Sequence, residues 1–171
     1  MPNYLIRQSD WADFFPLGKN VDYLNRVERY VGEAQLHDLR PVLTKDFYTE
    51  VLEVAGSGAN SANGKLSKAD YDLLLPYLKP IIVMYAAARY ITMGSAQSTR
   101  FGMVNKSNDY SDPLSDSAKK AQAAQLRSNA ITHISDLTDF LKDNSTAYPT
   151  WYSKQTSTEN TIRTGIGIWS V

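Results

Sequence analysis

The sequence predicts a mainly α-helical protein: a bundle of about four principal helices, a short extended or hairpin element, and extended arms at both ends. Three observations predict it. Apolar residues recur at helical spacing through most of residues 20–144. Capping and breaking residues punctuate that pattern where helices should begin and end. Large aromatics crowd the two ends instead: Tyr4, Trp11, Phe14 and Phe15, then Tyr148, Trp151, Tyr152 and Trp169. The expected organisation is an N-terminal arm over 1–19, a helical domain over 20–144 and a C-terminal arm over 145–171.

Residues 1–20 read as irregular, broken by Pro2, Pro16 and Gly18. Asn20 is a good N-cap. Val21, Leu24, Val27, Tyr30, Val31 and Ala34 then form one stripe, which should stop near Leu39 because Pro41 biases Arg40 away from helix. Thr44 is the expected cap of a second helix, with Leu43 stapled onto Tyr48 and an end at Gly56. Residues 56–65 (GSGANSANGK) read as a flexible loop.

Ser67 with Asp70 resembles a capping box. Leu74, Tyr77, Leu78, Ile81, Met84, Tyr85, Ala88 and Ile91 give the stripe of the third helix, in which Pro80 should produce a kink or a new start. Ala86, Ala87 and Ala88 leave room for a close neighbour. Thr99–Val104 could form a strand or hairpin arm. Asp112-Pro113 then signals the start of the last helix, with an inner face of Ala121, Ala124, Ile131, Ile134, Leu137, Thr138 and Leu141 and an end near Asn144.

The totals exclude several classes. Lys plus Arg and Asp plus Glu are both 18, so a dedicated nucleic-acid binder is not indicated. With no cysteine there is no disulfide framework and no thiolate metal site. A basic region followed by an apolar core is missing from the N-terminus, so no signal peptide is expected. The most apolar run, Pro80–Met93, is too short and too polar for a membrane span.

No chemistry-bearing motif is convincing. Gly64-Lys65 lacks the preceding strand, the earlier glycine and the following Ser or Thr of a phosphate loop. His37 and His133 stand singly on helices; a metal would need both together with Asp38 or Asp136. Gly56-Ser57-Gly58 is not a nucleophile elbow. Asn105, Asn108, Asp109 and Asp112 lack the regular alternation of a calcium loop. The reading is therefore no catalytic, cofactor-binding or metal residues, and no cofactor. The aromatic arms can fold onto their own subunit or dock on another chain. The second reading names Trp11, Phe14, Phe15, Trp151, Tyr152, Ile168 and Trp169 as contacts with another subunit or partner.

In order, the chain runs helix, Pro, helix, loop, Tyr-rich helix, extended piece, long helix. Within it stand Glu33–Phe47 (EAQLHDLRPVLTKDF), Tyr77–Ile91 (YLKPIIVMYAAARYI), Ser98–Val104 (STRFGMV) and Tyr110–Pro113 (YSDP). This pattern, over about residues 20–145, resembles the head–tail connector (adaptor or ring) proteins of tailed bacteriophages. It is most similar to a family of small virion proteins of Bacteroidetes phages.

The resemblance implies a structural protein without catalytic residues. It would form a homo-oligomeric ring, often of twelve copies, below the portal. It would meet the portal protein on one face and the tail or a second neck ring on the other. Genomic DNA would pass through its channel without sequence-specific binding. The implied location is the virion neck, with assembly in the bacterial cytoplasm and no membrane contact. Two alternatives stay open. One is a small helical enzyme or ligand-binding domain with a pocket at Arg89, Tyr85 and His133. The other is a tail-completion or other neck protein. If the arms dock outward, removing residues 146–171 should leave a folded helical monomer that assembles poorly.

Overall fold

The computed structural model describes residues 4–17, 21–94 and 115–154, and the backbone of two short strands at 96–99 and 102–105. The chain is mainly helical, as expected. A 3-10 turn (Gln8–Trp11) precedes α1 (Tyr23–Arg26) and α2 (Glu28–Ala34). A π-helical turn (Gln35–Leu39) leads into α3 (Arg40–Leu43), and α4 (Lys45–Ser57) follows after one residue. Then come α5 (Lys68–Met93), a hairpin of β1 (Ala96–Thr99) and β2 (Gly102–Asn105), and α6 (Asp116–Asp143). The hairpin is antiparallel, pairing Ala96 with Asn105 and Thr99 with Gly102. Residues 149–154 are again helical.

The central element is α5. Residues 80–84 and 86–88 are all buried, so this part is covered on every side. α2, the π turn, α4, α6 and the 3-10 turn all pack on it. The expected stripe holds at Leu74, Leu78, Ile81, Met84 and Ala88. Ser67 caps the helix, its hydroxyl accepting from the Asp70 amide at 3.0 Å. The helix runs unbroken through Pro76 and Pro80. Each proline removes one intrahelical donor, and burial of the surrounding face outweighs that loss.

Several expectations are corrected. Leu24 is 70% exposed and Tyr23 is buried instead. The first helix breaks at Val27 (φ −110°), so a stripe counted straight through it goes out of phase. Helix does not stop before Pro41. The Arg40 amide reaches back to Gln35, a five-residue step. That wider turn falls where the Pro41 ring would otherwise crowd the His37 carbonyl.

Thr44 is the N-cap residue of α4, as expected, but its side chain makes no capping hydrogen bond. Its φ of 69° and ψ of 158° are strained for a β-branched residue. Its Oγ1 is the buried side-chain polar atom without a hydrogen-bond partner among the described residues. α4 ends one residue beyond the expected Gly56, at Ser57, on a left-handed Gly58 (φ 67°) whose amide bonds the Val54 carbonyl.

On α6 the buried positions are Lys119, Ala123, Ala130, Leu137 and Leu141, while Ile131 is 61% exposed. Buried alanines on both partners, 86–88 on α5 and 123 and 130 on α6, let this helix pair approach closely. α6 starts at Asp116 on a Ser115 cap whose hydroxyl accepts from the Ala118 amide. Asp112 and Pro113 lie outside the described residues.

The loop at 57–66 is built, not slack. Ser61 and Leu66 bond each other twice: the Ser61 amide to the Leu66 carbonyl, and the Leu66 amide to the Ser61 hydroxyl. The Ala62 amide donates to Glu53, and Asn63 Nδ2 donates to Glu50 Oε1 at 2.6 Å. Turn side chains that bond nearby backbone explain the order in so polar a stretch.

Candidate interaction site

The N-terminal residues are laid across the helices. The Leu5 amide donates to Gln35 Oε1 at 2.8 Å, inside the core, and Leu5 and Ile6 are buried. Tyr4 lies over Gly32, where a Cβ would stand 3.2 Å from the Tyr4 ring. Asp10 accepts from the Arg7 amide and pairs with Lys79 of α5 at 2.8 Å. Trp11 is 1% exposed, edge-on to Phe15 and Tyr23, with its indole N–H donated to the Tyr23 hydroxyl at 3.3 Å.

The C-terminal aromatics are equally internal. Trp151 is 1% exposed and donates its indole N–H to the Val42 carbonyl. The Tyr148 hydroxyl donates to the Asp70 carbonyl at 2.9 Å, and its ring meets Phe47 and Phe140. Thr150 donates to the buried Glu50 at 2.8 Å.

Docking of Trp11 and Trp151 on another chain is therefore corrected. Side chains so fully enclosed by their own subunit offer nothing to a partner. Phe14 and Phe15 are half-buried against the same core. Tyr152, at 44%, is the most exposed of the described contact candidates. Ile168 and Trp169 lie outside the described residues. A cut at 146 would remove Tyr148 and Trp151 from the core, so a folded remnant is no longer the expectation.

The pocket expected at Arg89, Tyr85 and His133 divides. Arg89 is held by Asp38 and, at 3.7 Å, by Glu33. Tyr85 sits in the same field: burial raises its pKa, Asp38 adds to the rise, and Arg89 and Arg127 oppose it. His133 instead faces Asp136 of its own helix at 3.7 Å. His37 is exposed, next to an Asp38 already used by Arg89. No group of three or more His, Asp or Glu side chains suited to a metal occurs among the described residues. None of the helices among them is long and apolar enough to cross a membrane.

What the structure does form is a groove of about 550 Å³ between the N-terminal segment, α1 and the end of α4. Tyr4, Ile6, Arg7, Tyr23, Leu24 and Glu28 line it, with Ala55 and Gly56 at one side. Burial and the Glu28 carboxylate both push the Tyr4 hydroxyl's pKa up. Burial does the same to Tyr23, against the pull of the Trp11 indole, with the Glu28 charge adding to the rise. Two phenol rings, an exposed leucine, one cation and one carboxylate suit a large side chain with an apolar body and a polar edge. The site is hidden in the sequence because the helical stripe counts Leu24 as core. The signal was the pair Tyr23-Leu24, of which only one can face inward.

The fold defines a helical protein in which Trp11, Tyr148 and Trp151 complete the core of their own chain. Residues 39–161, well over half the chain, match a family model described as "Family of unknown function (DUF6712)", and the chain belongs to that family. No curated protein and no solved structure matches it.

Proposed function

We propose that this chain is a structural virion protein that forms a homo-oligomeric ring below the phage portal and joins head to tail. The observation that carries the reading is the ordered resemblance of four segments to connector proteins. Three of those segments belong to the scaffold of the fold. Glu33–Phe47 spans the π turn and the α3–α4 corner. Tyr77–Ile91 is the covered middle of α5. Ser98–Val104 falls on the hairpin.

In a ring, one surface of each copy meets a different surface of the next, and the contact repeats until the circle closes. The portal protein and the tail or second neck ring would lie on the two faces, and DNA would pass through without sequence-specific contacts.

The test is size-exclusion chromatography with light scattering, alone and with the portal protein, followed by electron microscopy of the particles. Closed rings, alone or on the portal, are the expected outcome. A compact monomer that never assembles, even with portal present, would sink the reading.

A further inference from the structure

We propose that the groove beside Leu24 receives the Ile166–Trp169 segment of a second copy of this chain. The inference rests on the ring reading and assigns it a contact.

Trp11 and Trp151 are buried in their own core, and the third tryptophan, Trp169, lies outside the described residues. A buried tryptophan needs apolar surface for its rings and an acceptor for its indole N–H. The groove supplies both: Tyr4, Tyr23 and Leu24 for the ring, and Glu28 as acceptor. Arg7 adds a cation able to lie over an aromatic face. Leu24 is 70% exposed, so an occupant would take a large apolar side chain out of water.

The length of chain beyond Lys154 also permits it. Lys154, the last described residue, pairs with Asp46 at 3.3 Å, in the first turn of α4. The groove touches Ala55 and Gly56 at the other end of the same helix, about 14 Å further along. Residues 155–165 can span at most roughly 36–40 Å, well beyond that distance along α4. The point where the segment leaves one copy and the groove that receives it are thus different surfaces at opposite ends of α4. An exchange between copies is then head-to-tail, the geometry that closes into a ring.

The test uses the full chain with a photo-crosslinking phenylalanine analogue in place of Trp169. Equal amounts of isotopically light and heavy protein are mixed, illuminated and mapped by mass spectrometry. The expected result is mixed light–heavy crosslinks landing between Tyr4 and Glu28. Leu24→Glu should cut those crosslinks and weaken assembly about tenfold or more without lowering thermal stability, since Leu24 contributes little to the core.

Crosslinks elsewhere, or only within single chains, would overturn the proposal. If rings form while the groove is missed, the groove assignment fails and the ring reading stands. Groove crosslinks in material that stops at dimers keep the groove and remove the ring. A monomer without crosslinks between copies removes both.

Discussion

The indole N–H of Trp151 donates to the carbonyl of Val42 at 3.0 Å, joining residues 109 positions apart in sequence. Val42 lies on α3, two residues before the strained Thr44, and Lys154 and Thr150 grip α4 just beyond it at Asp46 and Glu50. The C-terminal residues therefore brace the α3–α4 corner from both sides. Trp151→Ala should cost about 3–5 kcal/mol. Trp151→Phe keeps most of the burial but orphans the Val42 carbonyl, at about 1–3 kcal/mol. Urea denaturation of both variants checks the order. Truncation after residue 154 should keep the fold, whereas truncation after 145 should abolish it, as read by circular dichroism.

Thr44 carries two costs at once, a backbone in the left-handed half of φ and a buried hydroxyl without a partner. Replacing it with glycine relieves roughly 1–3 kcal/mol of strain and gives back about 0.5–1 kcal/mol in unfolded-chain entropy. Thr44→Gly should therefore raise stability by about 1 kcal/mol. Thr44→Ala removes the hydroxyl but keeps the strain and should gain less. Equal midpoints for both variants in chemical denaturation would show that the backbone strain is not the larger cost.

Asn63 is the keystone of the 57–66 loop. It donates to Glu50 and accepts from the Ser61 hydroxyl at 2.8 Å and the Lys65 amide at 3.0 Å. Asn63→Ala should cost about 2 kcal/mol, because one of the lost bonds was to a buried carboxylate. It should also speed proteolysis within the loop, read by timed digestion. A loop of this composition kept ordered by its own bonds should resist protease in the parent protein.

Much of this fold was legible in the sequence wherever the governing interaction is local. The Ser67–Asp70 cap and the α5 stripe rest on neighbours within a few turns, and the run Ala86–Ala88 shows its small bulk in the residue types alone. The failures share a different cause. Helical spacing carried across Val27 puts Leu24 inside, but the break at Val27 sets the turn before it out of phase with Tyr30, Val31 and Ala34, which are buried as the stripe expects. Pro41 was read as a stop because a π turn cannot be seen in residue types alone. The terminal aromatics did announce a docking site, but Trp11 and Trp151 have partners set by packing, not by spacing. The groove was hidden by the same Leu24 error.

Alkaline pH should expose the buried phenols. Burial above all, with the nearby Asp70 and Tyr77, pushes the Tyr148 pKa up to about 12, while a tyrosine in an unfolded chain titrates near 10. The raised value means the folded state favours the neutral phenol. That stabilisation is whole below about pH 10 and is lost as pH climbs toward 12, up to roughly 2–3 kcal/mol. Tyr23 and Tyr71 are raised in the same direction by burial. Unfolding free energy measured from pH 8 to 12 should be flat at first and then fall. Tyr148→Phe should start about 1 kcal/mol lower, from the lost hydrogen bond, and fall less steeply.

The bonds of Tyr148 to Asp70, Thr150 to Glu50 and Trp151 to Val42 join residues 78, 100 and 109 positions apart. During synthesis, helices α2 to α5 emerge long before those closing residues exist. The nascent chain must therefore hold an open apolar cleft until residue 151 leaves the ribosome, and non-local closure of this kind is slow. Closure of the fold thus acts as a timer: the apolar cleft is sealed only once residue 151 has been made.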